Sequence, residues 1–373
     1  MYEPLYHHGS GGYAEAASDA ARKARNKLES LIEGGRSKAL TVIEKVQMEI
    51  PKDRIVKDTA LTFSYEPGLG LVVAPGDDED ESIHRNALQQ LLSRVGMPKG
   101  YYDTLVQQNA GWANELIARN LNELYNHSDE RHLLRSYDRQ LRGFLSDRYR
   151  RLDSRPLIEA FAESCQGIGA IPVEGYALDT KVALKAMIPV VYEPMPNEVV
   201  AFGLEWGNSD YGNGTNYLRS FLMRLWCTNY AIADTELRQV HLGAKLSENI
   251  VFSQQTYELD TATTASAIRD IVQHSLGEGQ VNLFLDGIKR AHEERIDPKK
   301  AIAELKKRLT VGEVDQVIDA FNSLDVENLP PGNSKWRLSN ALSWIAGQTE
   351  DRERALELER EAGRLIPELA KAA

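Results

Sequence analysis

GIGAIPVEGYAL (residues 167–178), KVALKAMIPVVYE (181–193) and EVVAFGLEWGNS (198–209) are three apolar segments parted only by Asp179-Thr180 and by Pro194-Met195-Pro196-Asn197. Short β-branched and aromatic runs bounded by such residues read as strands joined by tight connections, so an antiparallel three-strand meander is expected. In the stretch that follows, NYLRSFLMRLWCTNYAI (216–232), Leu218, Phe221, Leu222, Leu225 and Trp226 share one side of a 3.6-residue spiral, which predicts a helix. Strand, strand, strand, helix is the expected core, and the fold class is α+β with helical N-terminal and C-terminal regions.

Immediately upstream, RHLLRSYDRQLRGFLSDRYRRLDSR (131–155) gathers eight arginines and no lysine in a chain of formal net charge -11. Wound as a helix, Arg131, Arg135, Arg139 and Arg142 fall in one quadrant, while Leu133, Leu134, Tyr137, Leu141, Phe144 and Leu145 take the opposite face. Arginines one turn apart stand about 6 Å from each other, within reach of successive phosphates on an extended strand. Gly143 ends this helix, and FLSDRYRRLD then alternates as a strand, with Arg148 and Arg150 on one side and Tyr149 and Arg151 on the other. Guanidinium groups hold phosphate and tyrosine rings stack on bases, so these eight residues are the candidate contacts to single-stranded nucleic acid. The competing reading is an ordinary amphipathic helix whose arginines pair with Asp138, Asp147 and Asp153.

Composition bounds the function. Hydrophobic residues make up 42% of the 373 and charged residues 27%, the usage of a chain that can bury a core. An acidic balance argues against coating nucleic acid with the whole surface and permits a local basic groove. No stretch approaches the roughly 20 apolar residues that span a bilayer, and the first residues lack signal-peptide order, which points to an intracellular protein with no membrane partner. Cys165 and Cys227 lack CxxC spacing and read as packing residues in a reducing compartment.

Four regions are expected: a flexible arm over 1–12, a helical region with a short hairpin over 13–130, the α+β core over 131–260, and a helical region over 261–373. AEAASDAARKARNKLESLIEGG (14–35) reads as a helix stopped by Gly34-Gly35, and RIVKDTALTFSYEPGLGLVVAPG (54–76) as a hairpin turning at Pro67-Gly68. Its GLG is no phosphate loop, for no lysine follows and no helix opens there. DDEDES (77–82) leads into the helix IHRNALQQLLSRVG (83–96), and two further helices follow in MPKGYYDTL and AGWANELIARNLNELY. In the C-terminal region, Asp297-Pro298 marks a helix start and Thr310 with Glu313 has capping-box spacing.

Catalytic and metal constellations are weak. Cys227 with His241 lacks an oxyanion feature. His127 and His132 are five residues apart, where a one-face helical pair needs four, and read as solvated loop histidines. Glu205 and Asp210 flank a Gly- and Asn-rich stretch that reads as a turn after an edge strand. No metal, no cofactor and no enzymatic activity is expected.

FLSDRYRRLDSRPLIEAF, WGNSDYG, RLWCTNYAI, RQVHLG and WRLSNALSWIAG together resemble, in order, the motifs of the phage/plasmid-like family catalogued as domain of unknown function nine-three-two, over roughly residues 55 to 365. The chain departs from it at Asn229-Tyr230, where the family shows Asn-Gly. The resemblance implies a mobile-element protein of the bacterial cytoplasm. In element order the core is also similar to single-strand annealing proteins of the phage Erf kind, which implies a basic groove and work as a ring or filament. The expectation is therefore a single-stranded nucleic-acid-binding or annealing protein acting as a homo-oligomer, with Trp226 or Met223 at a subunit contact. The alternatives are an interaction or assembly module whose arginines meet the DDEDES of a neighbouring copy, and a nuclease-like enzyme.

Overall fold

The computed structural model describes residues 16–76, 78–225, 229–232, 237–239, 253–323 and 329–367. Ser18 accepts a hydrogen bond from the Ala21 N–H and starts α1 (Asp19–Met48). Gly34 and Gly35, read from sequence as a stop, lie inside this helix. A Cβ on Gly35 would stand 1.8 Å from the Val173 carbonyl oxygen, so Gly35 is where the helix backbone lies directly against a strand.

The chain then lays down β1 (Lys52–Lys57), a 3-10 turn (Asp58–Ala60), β2 (Leu61–Glu66), β3 (Gly70–Pro75) and β4 (Glu81–Ile83). Three helices follow, α2 (Arg85–Arg94), α3 (Lys99–Gln107) and α4 (Gly111–Asn126), and then β5 (Arg131–Tyr137) and β6 (Gln140–Ser146). These strands form one sheet in the order β1-β5-β6-β4-β3-β2, with β4 and β6 parallel and the other pairs antiparallel. Leu91, Ile117, Leu121 and Tyr125 from α2 and α4 pack on Phe63, Val73, Leu134 and Phe144 of the strands.

The expected arginine helix is thus a β-hairpin. Asp138 and Arg139 both adopt positive φ, 48° and 56°, the backbone of a two-residue hairpin turn. Five central residues of each strand are buried, so the apolar positions fall on both faces and do not alternate. That pattern mimics one side of a helix. DDEDES does not open a helix either. Glu81 and Ser82 belong to β4, and α2 is capped instead by His84, whose Nδ1 accepts from the Asn86 N–H.

After α5 (Ser154–Gly167) come β7 (Ile171–Ala177), β8 (Val182–Met187), β9 (Tyr192–Met195), β10 (Glu198–Asn208), β11 (Asn216–Arg224), β12 (Asn229–Ile232) and β13 (Leu237–Gln239). The second sheet runs β12-β11-β10-β8-β7, with β9 beside β10 and β13 beside β11. The antiparallel meander stands as β7, β8 and β10. The helix expected over 216–232 is instead β11 and β12. Every described residue of β11 except Tyr217 is buried, since the sheet is covered on both faces and the strand reads as a continuous apolar run.

The rest of the described chain is helical: α6 (Gln254–Ser275), α7 (Glu278–Glu293), α8 (Pro298–Leu305), α9 (Val311–Asn322), α10 (Lys335–Gln348) and α11 (Arg352–Arg364). Asp297 caps α8 with Pro298 in its first turn, and the Thr310/Glu313 capping box is formed on α9. One face of the second sheet, with Leu184, Phe202, Leu204 and Trp206, packs on α5, α6, α7 and α10. The other, with Met187, Ala201, Phe221 and Met223, packs on Ala24, Leu28 and Ile32 of α1 and Leu356 of α11. The class is α+β. Among the described residues no helix is long and apolar enough to cross a membrane. The expected arm over 1–12 lies outside the described residues, as do Trp226, Cys227 and His241.

Candidate functional site

The arginines gathered over 131–155 are mostly committed to acids of the same chain, two of them in the interior. Arg135 is 1% exposed; its Nε donates to Asp53 at 2.8 Å, Nη2 to Asp153 at 2.6 Å and Nη1 to the Asp210 carbonyl at 2.8 Å. Burial works against its charge, but Asp153, Asp53 and Asp210 outweigh it and hold the guanidinium more firmly protonated than usual. Arg142, also buried, donates to Glu49 at 2.7 Å and to the Asp179 carbonyl at 3.0 Å. Arg150 makes two hydrogen bonds to Asp260, and Arg151 pairs with Asp53 at 3.2 Å while lying over the Tyr257 ring. Tyr149 is buried, its hydroxyl 3.4 Å from the Ser209 carbonyl, and burial pushes its pKa up. These five residues therefore line no open stripe, and the Tyr149 ring is not free to stack on a base. The acids in strands, loops and helices far along the chain explain why the arginines collect here: each bridges two elements.

Arg139 stays 69% exposed at the hairpin turn, and its nearest acid is Glu79 at 3.4 Å. DDEDES thus meets an arginine of its own chain. Arg54 likewise pairs with Asp78 and Glu81.

The junction of the two sheets is built on WGNSDYG. Ser154 donates its N–H and hydroxyl to Asp210 Oδ1, at 2.8 and 2.9 Å, and Asn208 donates to the same oxygen at 3.2 Å. Burial pushes the Asp210 carboxyl up to about 7, although Arg135 pulls it down. Glu205 is not in a turn beside an edge strand. It sits in the middle of central β10, in register with Lys185 and Arg219, and accepts from the Tyr217 hydroxyl at 2.7 Å. Met223 and Cys165 are fully buried, and burial raises the Cys165 thiol pKa, so neither faces solvent or a second copy.

Arg131 and Arg148 behave differently. Together with Lys57, Arg94, Asp129, Glu130, His132, Ser146 and Asp147 they line an open basin of about 680 Å³ at one end of the first sheet. Four separate segments supply its cations: the end of β1, the end of α2, the start of β5 and the turn after β6. Arg131 and Arg148 lie 3.3 and 3.8 Å from Asp147. Lys57 and Arg94 are exposed, and neither has an ion-pair partner among the described residues.

His132 is not a solvated loop histidine. It is 2% exposed, stacks on Phe144 with ring centroids 4.4 Å apart, and holds Nδ1 2.7 Å from Asp58 Oδ1, while Nε2 lies 3.7 Å from Glu130 Oε2. The second histidine, His127, is exposed and bonds the Glu123 carbonyl. The strand register brings the pair together: β1 lies beside β5 with Lys57 opposite Arg131 and Val56 opposite His132, and Asp58 follows at once. Sequence reasoning missed Asp58, Lys57 and Arg94 because they lie 74, 74 and 37 residues from His132 or Arg131 in sequence. The one local signal was the run Asp129-Glu130-Arg131-His132.

Comparison of the chain with known protein families, with curated proteins and with solved structures finds no match.

Proposed function

We propose that the chain binds nucleic acid through the phosphates of a single strand, at the basin rather than along an arginine stripe. The observation that carries this reading is the convergence of Lys57, Arg94, Arg131 and Arg148 on one open basin. Lys57 and Arg94 make no ion pair within 4 Å among the described residues, so a phosphate beside them gains a charge partner without breaking one. The basin is about the size of a small-ligand pocket and holds a nucleotide or two, not an extended duplex. Annealing by a ring or filament belongs to this reading as a further part.

The test is fluorescence anisotropy with a single-stranded oligonucleotide over a range of salt, for the parent and for a Lys57→Ala/Arg94→Ala variant. Phosphate contacts on single strands steepen the salt dependence by about 0.7 per neutralised charge, so losing two flattens the slope by about 1.4 and weakens binding. No salt-dependent binding by the parent, or the same slope in the variant, refutes the basin as the site. Light scattering on the same samples, with and without the strand, tests assembly, and a strict monomer in both removes the ring or filament.

A further inference from the structure

We infer that Glu130 and His132 form a divalent transition-metal site of the zinc class at the floor of the basin, with Asp58 orienting the histidine. The geometry starts from His132. Nδ1 stands 2.7 Å from the Asp58 carboxylate, an arrangement that in a neutral ring places the proton on Nδ1 and leaves Nε2 as the nitrogen available to a metal. This ring is 2% exposed and stacked on Phe144, so its direction is fixed. Its Nε2 makes no hydrogen bond among the described residues and lies at the basin wall.

The partner ligand is in range. Metal bonds to histidine nitrogen and carboxylate oxygen run about 2.0 to 2.2 Å, which puts two ligands of a tetrahedral ion about 3.4 Å apart. Glu130 Oε2 stands 3.7 Å from His132 Nε2, and the Glu130 side chain is 73% exposed and able to close the remainder. Oxygen or nitrogen atoms of Asp58, Glu130 and His132 all lie within 4.8 Å of one another. A buried carboxylate behind the ring is the usual outer partner of a metal-binding histidine, fixing its tautomer and raising its basicity. Imidazole with carboxylate suits zinc, cobalt and related ions rather than calcium. Lys57, Arg94, Arg131 and Arg148 around the basin oppose a cation; Asp129, Glu130 and Asp147 in its lining offset most of that charge, and Asp58 lies behind the ring. The remaining coordination positions open into the basin. The inference stands on this geometry and does not depend on strand binding.

The test uses tag-free full-length protein, stripped with chelator and dialysed. Titration with Co2+ is followed by its visible absorption, and Zn2+ affinity is measured by competition with a chromogenic chelator. One equivalent is expected to bind. Glu130→Gln, at an exposed position that leaves the melting temperature unchanged, is expected to weaken binding at least tenfold. Asp58→Asn is expected to weaken it about 10- to 100-fold by freeing the ring. A His7→Ala/His8→Ala variant is expected to bind as the parent does. The proposal is overturned if no saturable binding occurs, if Glu130→Gln and His132→Gln both bind as the parent does, or if binding disappears with His7 and His8.

Discussion

Arg135→Ala is the perturbation that separates a structural arginine from a ligand-binding one. The substitution leaves Asp153 without its guanidinium, Asp53 with only Arg151 at 3.2 Å, and the Asp210 carbonyl without its donor at 2.8 Å. Removing one partner of a buried pair costs about 3 to 5 kcal/mol. The two carboxylates left behind are 22% and 45% exposed, so water recovers part of that, which puts the cost near the lower end, about 3 kcal/mol. With a urea dependence of about 3 kcal/mol per molar for a chain of this size, the midpoint falls by about 1 M. Urea titration followed by tryptophan fluorescence and far-ultraviolet circular dichroism reads the shift. Arg139→Ala, at a side chain 69% exposed, is the control, expected within about 0.5 kcal/mol of the parent. If unfolding shows two steps, both move, because Arg135 in the first sheet is tied to Asp153 and Asp210 beside the second. A midpoint for Arg135→Ala equal to that of Arg139→Ala refutes the interior ion-pair account and returns Arg135 to the list of surface contacts.

Two further predictions concern the backbone and pH. Gly34→Ala adds a methyl in open space within α1 and is expected to raise stability by about 0.5 to 1 kcal/mol, whereas Gly35→Ala meets the Val173 carbonyl and is expected to lower it by more than about 1 kcal/mol; thermal melts giving the same sign for both would refute the close packing of α1 on β7. Asp210, with its carboxyl raised to about 7 by burial against an ordinary 3.8, binds its proton more tightly folded than unfolded, so its contribution is fully present below about pH 4 and is lost as pH rises toward 7. The stability advantage of the parent over Asp210→Asn is therefore expected to shrink across that window, and an advantage that grows with pH refutes the assignment.

Local chemistry was legible in the sequence, and long-range burial was not. Asp297-Pro298 and Thr310/Glu313 announce helix starts because each cap needs only residues two or three apart, and both are formed. The meander over 171–208 was legible because Asp179-Thr180 and Pro196-Asn197 punctuate it, although Pro194 and Met195, read as part of the second connection, belong to β9. The segments 131–142 and 216–232 were misread as helices for one reason, that strands covered on both faces lose the alternation that marks a strand; the strand expected over 144–153 holds only to Ser146, where β6 ends. Arg135 and Arg142 deepened the error, since an arginine in sequence suggests solvent and only the fold shows Asp53, Asp153 and Glu49 waiting for it. Of the basin, Arg131 and Arg148 were among the residues singled out. Its histidine was noticed and misassigned, and its buried aspartate depended on a strand pairing that no spacing reveals.

The covering of α1 has a consequence for how the chain is made. Ala24, Leu28 and Ile32 are synthesised well before the residues that enclose them, Val173, Met187, Ala201, Phe221, Ile232 and Leu356. A nascent chain that has finished its first sheet still carries this helix with its apolar side bare, and it also holds Arg135 without Asp153 and Asp210. Until the second sheet and α11 are in place, this face of α1 has nothing to pack against, so α1 is anchored only by parts of the chain made long after it.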